Sequence, residues 1–325
     1  MRRETGDIKE NINWGLDFSS INRSRTEWMG IAILMVLLYH CSLLPHTEMI
    51  LGFFRYGYFG VDIFLLLSGY GLCYSYEKNK LNDFWLHRVK RVLPLYIIQL
   101  LVRYIFLGEF QSVETTLHEL TNLSIFTQKG NGNWYVNAIM FFYLIFPVLY
   151  HSIKKYPLYI LMLSYVLSSV LLLLLDINWR QECMIGRLPI FIFGIFIYVS
   201  KVTKNDSLLY KGLMVSLFFW NFSMVYDVSI YMTAAAICAI VVLVCNIAVI
   251  YTVRGGLISF LGRHSYELFI ADYFTGVCVR YLLNSYPQFM HSYMVITLYV
   301  VFSFLGGGVF YSNIKNCSQG NQLTR

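Results

Sequence analysis

Charged residues are scarce in this chain. Asp, Glu, Lys and Arg make up 13% of its 325 residues, against about a quarter in ordinary soluble domains. Hydrophobic residues make up 57%, and they fall in long blocks separated by short polar stretches. A helix needs about 20 apolar residues to cross a bilayer. The shortage of charge therefore argues against a soluble globular protein and predicts a protein with several membrane-spanning helices.

Other scarce features narrow this prediction. The blocks lack the alternation of polar and apolar residues that barrel strands show, so we expect an all-α membrane protein. The seven cysteines include no CxxC pair, which predicts neither a disulfide framework nor a bound metal. The first 26 residues contain no apolar run, so no cleavable signal peptide is expected. Few prolines and no internal repeat weaken the rival prediction of a transporter or flippase.

Ten apolar stretches predict about ten transmembrane helices. They divide the chain into a segment 1–26, a transmembrane domain 27–312 and a tail 313–325. The predicted spans are 27–44, 58–75, 92–107, 135–151, 157–175, 188–200, 212–226, 229–251, 264–282 and 293–312.

Lysine and arginine predict the orientation of these spans. Nineteen lie in the terminal segments and the loops on the same side, and four lie in the opposite loops. Because basic residues collect on the cytoplasmic side, we expect both termini to be cytoplasmic. The net charge of +7 is then a consequence of topology, and no nucleic-acid partner is expected.

His40 and Asp62 lie within the first two spans, where ionisable side chains are costly to bury. The predicted topology puts both in the outer half of the membrane, on sequential helices, which are usually neighbours. We expect Asp62 to orient His40 and to raise its basicity, so that His40 can take a proton from a hydroxyl. The alternative is an interfacial histidine whose ring is hydrogen-bonded to a carbonyl.

Basic residues also cluster just before the third span. Arg88 and Arg91 are three positions apart and so share a helix face, with Lys90 beside them. Such a pair either binds phosphate groups or anchors the chain at the inner face. A donor that contains a nucleotide, such as coenzyme A, would need a site of this kind.

Aromatic and charged residues mark the predicted outer side. Trp134 and Tyr135 begin the fourth span, where they either join an interfacial belt or stack on a sugar. Asp272 is the deepest acid apart from Asp62, so we expect it to face inward and to be paired. Three arginines map to the outer ends of spans, where they either snorkel or line a polar acceptor cleft: Arg103, Arg187 and Arg280.

Six motifs in order along the chain carry a family resemblance. They are Gly30–His40, Gly60–Tyr70, Arg88–Pro94, Trp134–Tyr135 with Tyr143–Pro147, Arg187–Gly194 and Leu261–Leu268. Together they resemble the acyltransferase family 3 membrane proteins, which acylate sugars of bacterial surface glycans. The resemblance covers nearly the whole chain.

The resemblance implies an integral O-acyltransferase of the bacterial cytoplasmic membrane. The reaction would move acetyl from acetyl-CoA to a sugar hydroxyl of a surface polysaccharide or exopolysaccharide, or of its lipid-linked precursor. The partners would be acyl-CoA, that acceptor and membrane lipids. The resemblance gives His40 a catalytic role, Asp62 and Ser68 a catalytic or structural role, and Arg88 and Arg91, with Lys90, contacts to acyl-CoA phosphates. Substrate contacts are expected from Ser68, Trp134, Tyr135, Arg187 and Asp272.

The chain departs from the family pattern beside His40. Many members have a basic residue 11 positions before the histidine, where this chain has Met29. Arg25, one helical turn earlier, is expected to supply that charge. Many members also have a histidine where this chain has Asp272.

Overall fold

The computed structural model describes residues 21–45, 47, 51–78, 81–106, 108, 110–127, 133–252, 256–286 and 291–320. These ranges contain thirteen α-helices, one 3-10 helix and no strand. The prediction of an all-α protein is confirmed for this part of the chain.

The helices are α1 (Ile21–Ser42), α2 (Phe59–Lys78), α3 (Leu81–Phe106), α4 (Val113–Leu120), α5 (Ser124–Thr127), α6 (Trp134–Lys155), α7 (Pro157–Leu174), α8 (Trp179–Val202), α9 (Asp206–Val225), α10 (Ile230–Thr252), α11 (Gly256–Arg263), α12 (Ser265–Ser285) and α13 (Ser292–Gly320). The 3-10 helix, Gly52–Tyr58, leads into α2.

Ten of the α-helices in the described ranges have 18 residues or more, and each overlaps one predicted span. Five are both long and apolar enough to cross a membrane: α2 with the preceding 3-10 helix, α6, α7, α8 and α9. The count of ten spans and the cytoplasmic position of the termini stay predictions. The predicted terminal segments, 1–26 and 313–325, lie partly outside the described residues.

Two helices begin well before the spans predicted for them. Helix α3 begins at Leu81 and α8 begins at Trp179, because both open with polar turns that hydropathy does not detect. The start of α8 is fixed by a capping box. The Asn178 side chain accepts from the backbone N–H of Gln181, and the Gln181 side chain accepts from the backbone N–H of Asn178. Pro94, expected at the start of the third span, lies inside α3.

Helices α2 and α8 form the centre of the bundle and pack closely against each other. Glycines allow this close approach. A Cβ atom added at Gly69 would lie 2.1 Å from the carbonyl oxygen of Phe191, and one at Gly194 would lie 2.1 Å from that of Leu66. Small residues at such crossings let helix backbones meet in a membrane. The two helices that carry Asp62 and Arg187 are therefore held in one register.

We expect Gly69→Ala to lower the stability of the protein by about 1–3 kcal/mol, because the methyl group overpacks the crossing of α2 and α8. Thermal unfolding in detergent measures this loss. Gly308→Ala in α13 is the matched control, since its added Cβ would meet no atom within 4 Å. Equal melting temperatures for the two variants would contradict the prediction.

Candidate active site

Two cavities share Phe269 in their linings, and we name them by the predicted orientation. The outer cavity has a volume of about 590 Å³ and is lined by residues that include His40, Trp134, Asp272 and Arg280. The inner cavity has a volume of about 60 Å³ and is lined by residues that include Arg25, Ser68, Arg88 and Arg91. Two chemically different sites are therefore adjacent at Phe269.

The outer cavity contains a histidine–carboxylate pair. His40 lies in the last turn of α1, and its Nδ1 is hydrogen-bonded to a carboxylate oxygen of Asp272 on α12. The Tyr299 hydroxyl donates to the other oxygen of Asp272. Asp272 is 4% exposed, whereas 41% of the His40 side chain is exposed. A carboxylate on Nδ1–H leaves Nε2 unprotonated, so His40 presents a basic nitrogen that a ligand can reach.

The expected partner of His40 was wrong. Asp62 accepts a hydrogen bond from Nε of Arg187 at 3.1 Å, and neither side chain is more than 1% exposed. The two residues lie on α2 and α8, which pack together at the centre of the bundle. The outer end of α1 supplies His40 to α12 instead, so the carboxylate comes from Asp272, which was correctly expected to be buried and paired.

Arg187 contacts Trp134, one of the residues that line the outer cavity. Its guanidinium carbon is 5.1 Å from the centroid of the Trp134 ring and 4.5 Å from that of Tyr231. Trp134 lines the outer cavity, whereas Arg187 is outside the lining. Arg187 therefore reaches this cavity through its contact with the Trp134 ring, and the predicted contact with a substrate stays a prediction.

The inner cavity collects three guanidinium groups. Arg25 on α1 and Arg88 on α3 each have a buried Nε with no hydrogen-bond partner among the described residues. Arg91 lines the cavity with Arg88, on the same face of α3 as predicted, whereas Lys90 is outside the lining. Arg25 precedes the predicted span 27–44, and burial lowers the pKa of its guanidinium, as does the nearby charge of Arg91. Phosphate oxygens would satisfy these buried donors, so the residues fit a phosphate-containing ligand.

The position of Arg25 also bears on Met29, where many family members have a basic residue. Both side chains line the inner cavity, and Arg25 is the one that adds a positive charge to Arg88 and Arg91. The expectation that Arg25 supplies the missing charge thus agrees with its position in the structure.

Trp134 and Tyr135 contribute aromatic rings to the linings of the two cavities. Tyr135 lines the inner cavity, and its ring centroid is 4.8 Å from that of Phe269. Trp134, the preceding residue, lines the outer cavity instead, because the side chains of consecutive helical residues point about 100° apart. The sequence predicted substrate contacts from both rings, and the structure places them in different cavities, with Tyr135 buried. Ser68 also lines the inner cavity.

Some residues of the two cavities were not found from the sequence. Tyr299, Arg180 and Phe269 line one or both cavities without belonging to a motif that suggested a role. Tyr299 and Phe269 lie in apolar runs rich in aromatic residues, so nothing local distinguishes them.

A family model covers most of the chain. The model of the acyltransferase domain of acyltransferase family 3 matches residues 30–312. The chain belongs to this family, which confirms the resemblance carried by the six motifs. Together with its long apolar helices, this makes the protein a membrane acyltransferase. No curated protein and no solved structure matches the chain.

Proposed function

We propose that the protein is an O-acyltransferase that moves acetyl from acetyl-CoA to a sugar hydroxyl of a bacterial surface polysaccharide or exopolysaccharide, or of its lipid-linked precursor. It would work in the bacterial cytoplasmic membrane. The observation that carries this proposal is the pair of cavities whose linings share Phe269. One offers a basic histidine, and the other offers arginines suited to phosphate. Membership of the family favours this function over the rival transporter.

The donor would be held on the inner side. Arg25, Arg88 and Arg91 would bind phosphate oxygens, with their charges offset by those of the ligand. Because the inner cavity is small, the rest of the donor would lie beyond it. Ser68 and Tyr135 also line this cavity, and the acyl end would contact them. Acetyl-CoA supplies the activated acetyl group as a thioester.

The acceptor hydroxyl would meet His40 in the outer cavity. His40 takes the hydroxyl proton through Nε2 as the oxygen attacks the thioester carbonyl carbon. The carbon–sulfur bond then breaks, and His40 returns the proton to the departing sulfur. Asp272 keeps Nδ1–H in place and stabilises the imidazolium that forms between these steps. Tyr299 holds the second oxygen of Asp272 and so fixes the carboxylate.

We expect Arg25→Gln and Arg88→Gln each to raise the KM for acetyl-CoA by about tenfold or more, with a smaller change in kcat. Each arginine would lose charge-assisted hydrogen bonds to phosphate, worth about 1.5–3 kcal/mol. Initial rates of labelled acetyl transfer to extracted glycan, at varied acetyl-CoA, measure the effect.

Arg23→Gln is the matched control for these variants. Arg23 is an exposed arginine on α1, outside the lining of the inner cavity. Its KM should equal that of the wild type. An unchanged KM in both Arg25→Gln and Arg88→Gln would contradict the donor site. Absence of any acetyl transfer by the wild-type protein would overturn the proposed function itself.

A further inference from the structure

Residues 112–127 form a short helical segment between the third and fourth predicted spans, in a stretch that hydropathy places outside the membrane. The segment consists of α4 and α5. The Ser112 side chain caps α4 by accepting from the backbone N–H of Thr115 at 3.1 Å. The apolar residues of α4 are spaced by four and three positions, so they share one face: Val113, Leu117 and Leu120. Local signals thus specify an amphipathic helix.

The apolar face of this segment points away from the rest of the protein. On α4 the exposed fraction runs from 37% at Leu120 to 69% at Val113. The face continues through Leu123 to Phe126 of α5, and both side chains are exposed. An amphipathic helix on the surface of a soluble protein buries its apolar stripe and exposes its polar one. The segment is therefore amphipathic in the reverse sense.

Another face of α4 buries an acid against α3. Glu119 is buried, and its carboxylate accepts from the Tyr104 hydroxyl. Oε2 of Glu119 also lies 3.7 Å from Nη1 of Arg103. The Tyr96 hydroxyl donates to the backbone carbonyl of Glu119 at 3.1 Å. Removing a charge from water is costly, and these contacts offset that cost. They fix α4 on α3 with its leucines outward.

A third side of α4 is polar and open to solvent. Glu114 is exposed, and its Oε1 lies 3.9 Å from Nε2 of His118, four positions later. At about 100° per residue, Glu114 and His118 flank the apolar face on one side, and Glu119 flanks it on the other. The helix therefore offers one side to protein, one to water and one to an apolar medium. This arrangement suits a helix that lies flat in a membrane interface.

The exposed apolar face continues onto a helix that is apolar enough to cross a membrane. Phe126 contacts Phe141 of α6, with their ring centroids 5.4 Å apart. Leu144 and Val148 extend from Phe141 along the same side of α6, and both are exposed. Helix α6 is one of the five described helices long and apolar enough to be spans, so this side of it would lie among lipid chains. The same apolar surface thus runs from α6 onto α5.

We infer that α4 and α5 lie in the membrane interface beside the outer cavity, with their exposed apolar face among the lipid chains and Glu114 in water. The partner is the bilayer, whose chains would cover Val113, Leu117, Leu120, Leu123 and Phe126. Arg103 lines the outer cavity, so its contact with Glu119 would hold that cavity near the depth of the headgroups. The inference does not depend on the proposed function, because it uses none of the reacting groups.

The test measures the surroundings of single side chains in the full chain, held in nanodiscs of phosphatidylcholine. A p-acetylphenylalanine that carries a ketoxime nitroxide replaces one residue at a time, which leaves the seven cysteines unlabelled. Electron paramagnetic resonance compares collisions with oxygen, which is enriched in lipid, and with a nickel chelate, which stays in water. Labels at Leu117 and Phe126 probe the apolar face. A label at Glu114 is the matched control on the same segment, and one at Leu144 is the lipid reference.

Labels at Leu117 and Phe126 should collide mainly with oxygen, as at Leu144, and should lie about 5–10 Å below the headgroups. The label at Glu114 should collide mainly with the nickel chelate. Either apolar position decides the test alone if the other label is not accommodated.

Three results would overturn the inference. Frequent collisions with the nickel chelate at the two apolar positions would place the face in water. Rare collisions with both reagents there would show that a protein surface covers the face, such as a second copy of the chain. Collisions mainly with oxygen at Glu114 as well would place the whole segment inside the hydrocarbon region, away from the interface.

Discussion

His40→Ala and Asp272→Asn should each lower kcat for acetyl transfer by about 10²- to 10⁴-fold, the range expected for loss of a general base. The alanine variant has no group that accepts the hydroxyl proton. The asparagine variant keeps the shape of the site, but its amide can donate to Nδ1 and favour the tautomer in which Nε2 is protonated. Rates at saturating acetyl-CoA, normalised to the amount of folded protein, measure both effects.

Two further variants make this prediction specific. Tyr299→Phe removes one hydrogen bond to Asp272 and keeps the pair itself, so a smaller loss of about tenfold is expected. His151→Ala, at an exposed histidine of α6, should retain the wild-type rate. If His40→Ala transfers acetyl as fast as the wild type in equal folded amounts, His40 is not the base.

Asp62→Ala should destabilise the protein by about 3–5 kcal/mol, because it leaves the Arg187 charge buried without its partner. Asp62 Oδ2 and Arg187 Nη1 have no hydrogen-bond partner among the described residues. No neighbouring group therefore replaces the hydrogen bond that Arg187 loses in the variant. Replacing both side chains, in Asp62→Ala with Arg187→Met, removes the uncompensated charge and should recover much of the loss. Unfolding of the three forms in mixed micelles measures these differences.

The double variant also separates two roles for Asp62. As part of a structural ion pair, Asp62 affects acetyl transfer only through folding and through the position of Trp134 above Arg187. Folded double variant should then keep a kcat within about tenfold of wild type. A loss as large as that of His40→Ala would restore the catalytic role predicted from the sequence. Wild-type stability of the single variant would instead refute the structural role.

The sequence was sufficient to locate the ten long helices, because hydropathy marks long apolar elements, but it did not give the polar first turns of α3 and α8. It also placed Arg88 and Arg91 on one face, since a separation of three positions fixes that geometry within any helix. It did not find the partner of His40. Sequential helices are usually neighbours, and this rule selected Asp62. The choice between Asp62 and Asp272 depends on which helix meets the outer end of α1, and no local pattern encodes that contact.

Phe269 illustrates a second limit of prediction from sequence. Phe269 is one of 25 phenylalanines in the chain, and its neighbours in sequence resemble those of many others. It is distinguished only by the packing of the helices, which places it in the linings of both cavities and against Tyr135. Similarly, Arg103, Arg180 and Arg280 are far apart in sequence, and only the packing of three helices gathers their charges.

Donor and acceptor are expected to enter from opposite faces of the membrane and to react beside Phe269, which lines both cavities. Proteoliposomes with acceptor glycan sealed inside, and labelled acetyl-CoA added only outside, measure this entry. We expect acetylated glycan inside the vesicles and free CoA outside, with neither formed by His40→Ala. Acetylation of glycan only when it is on the same side as acetyl-CoA would show instead that both substrates enter from one face.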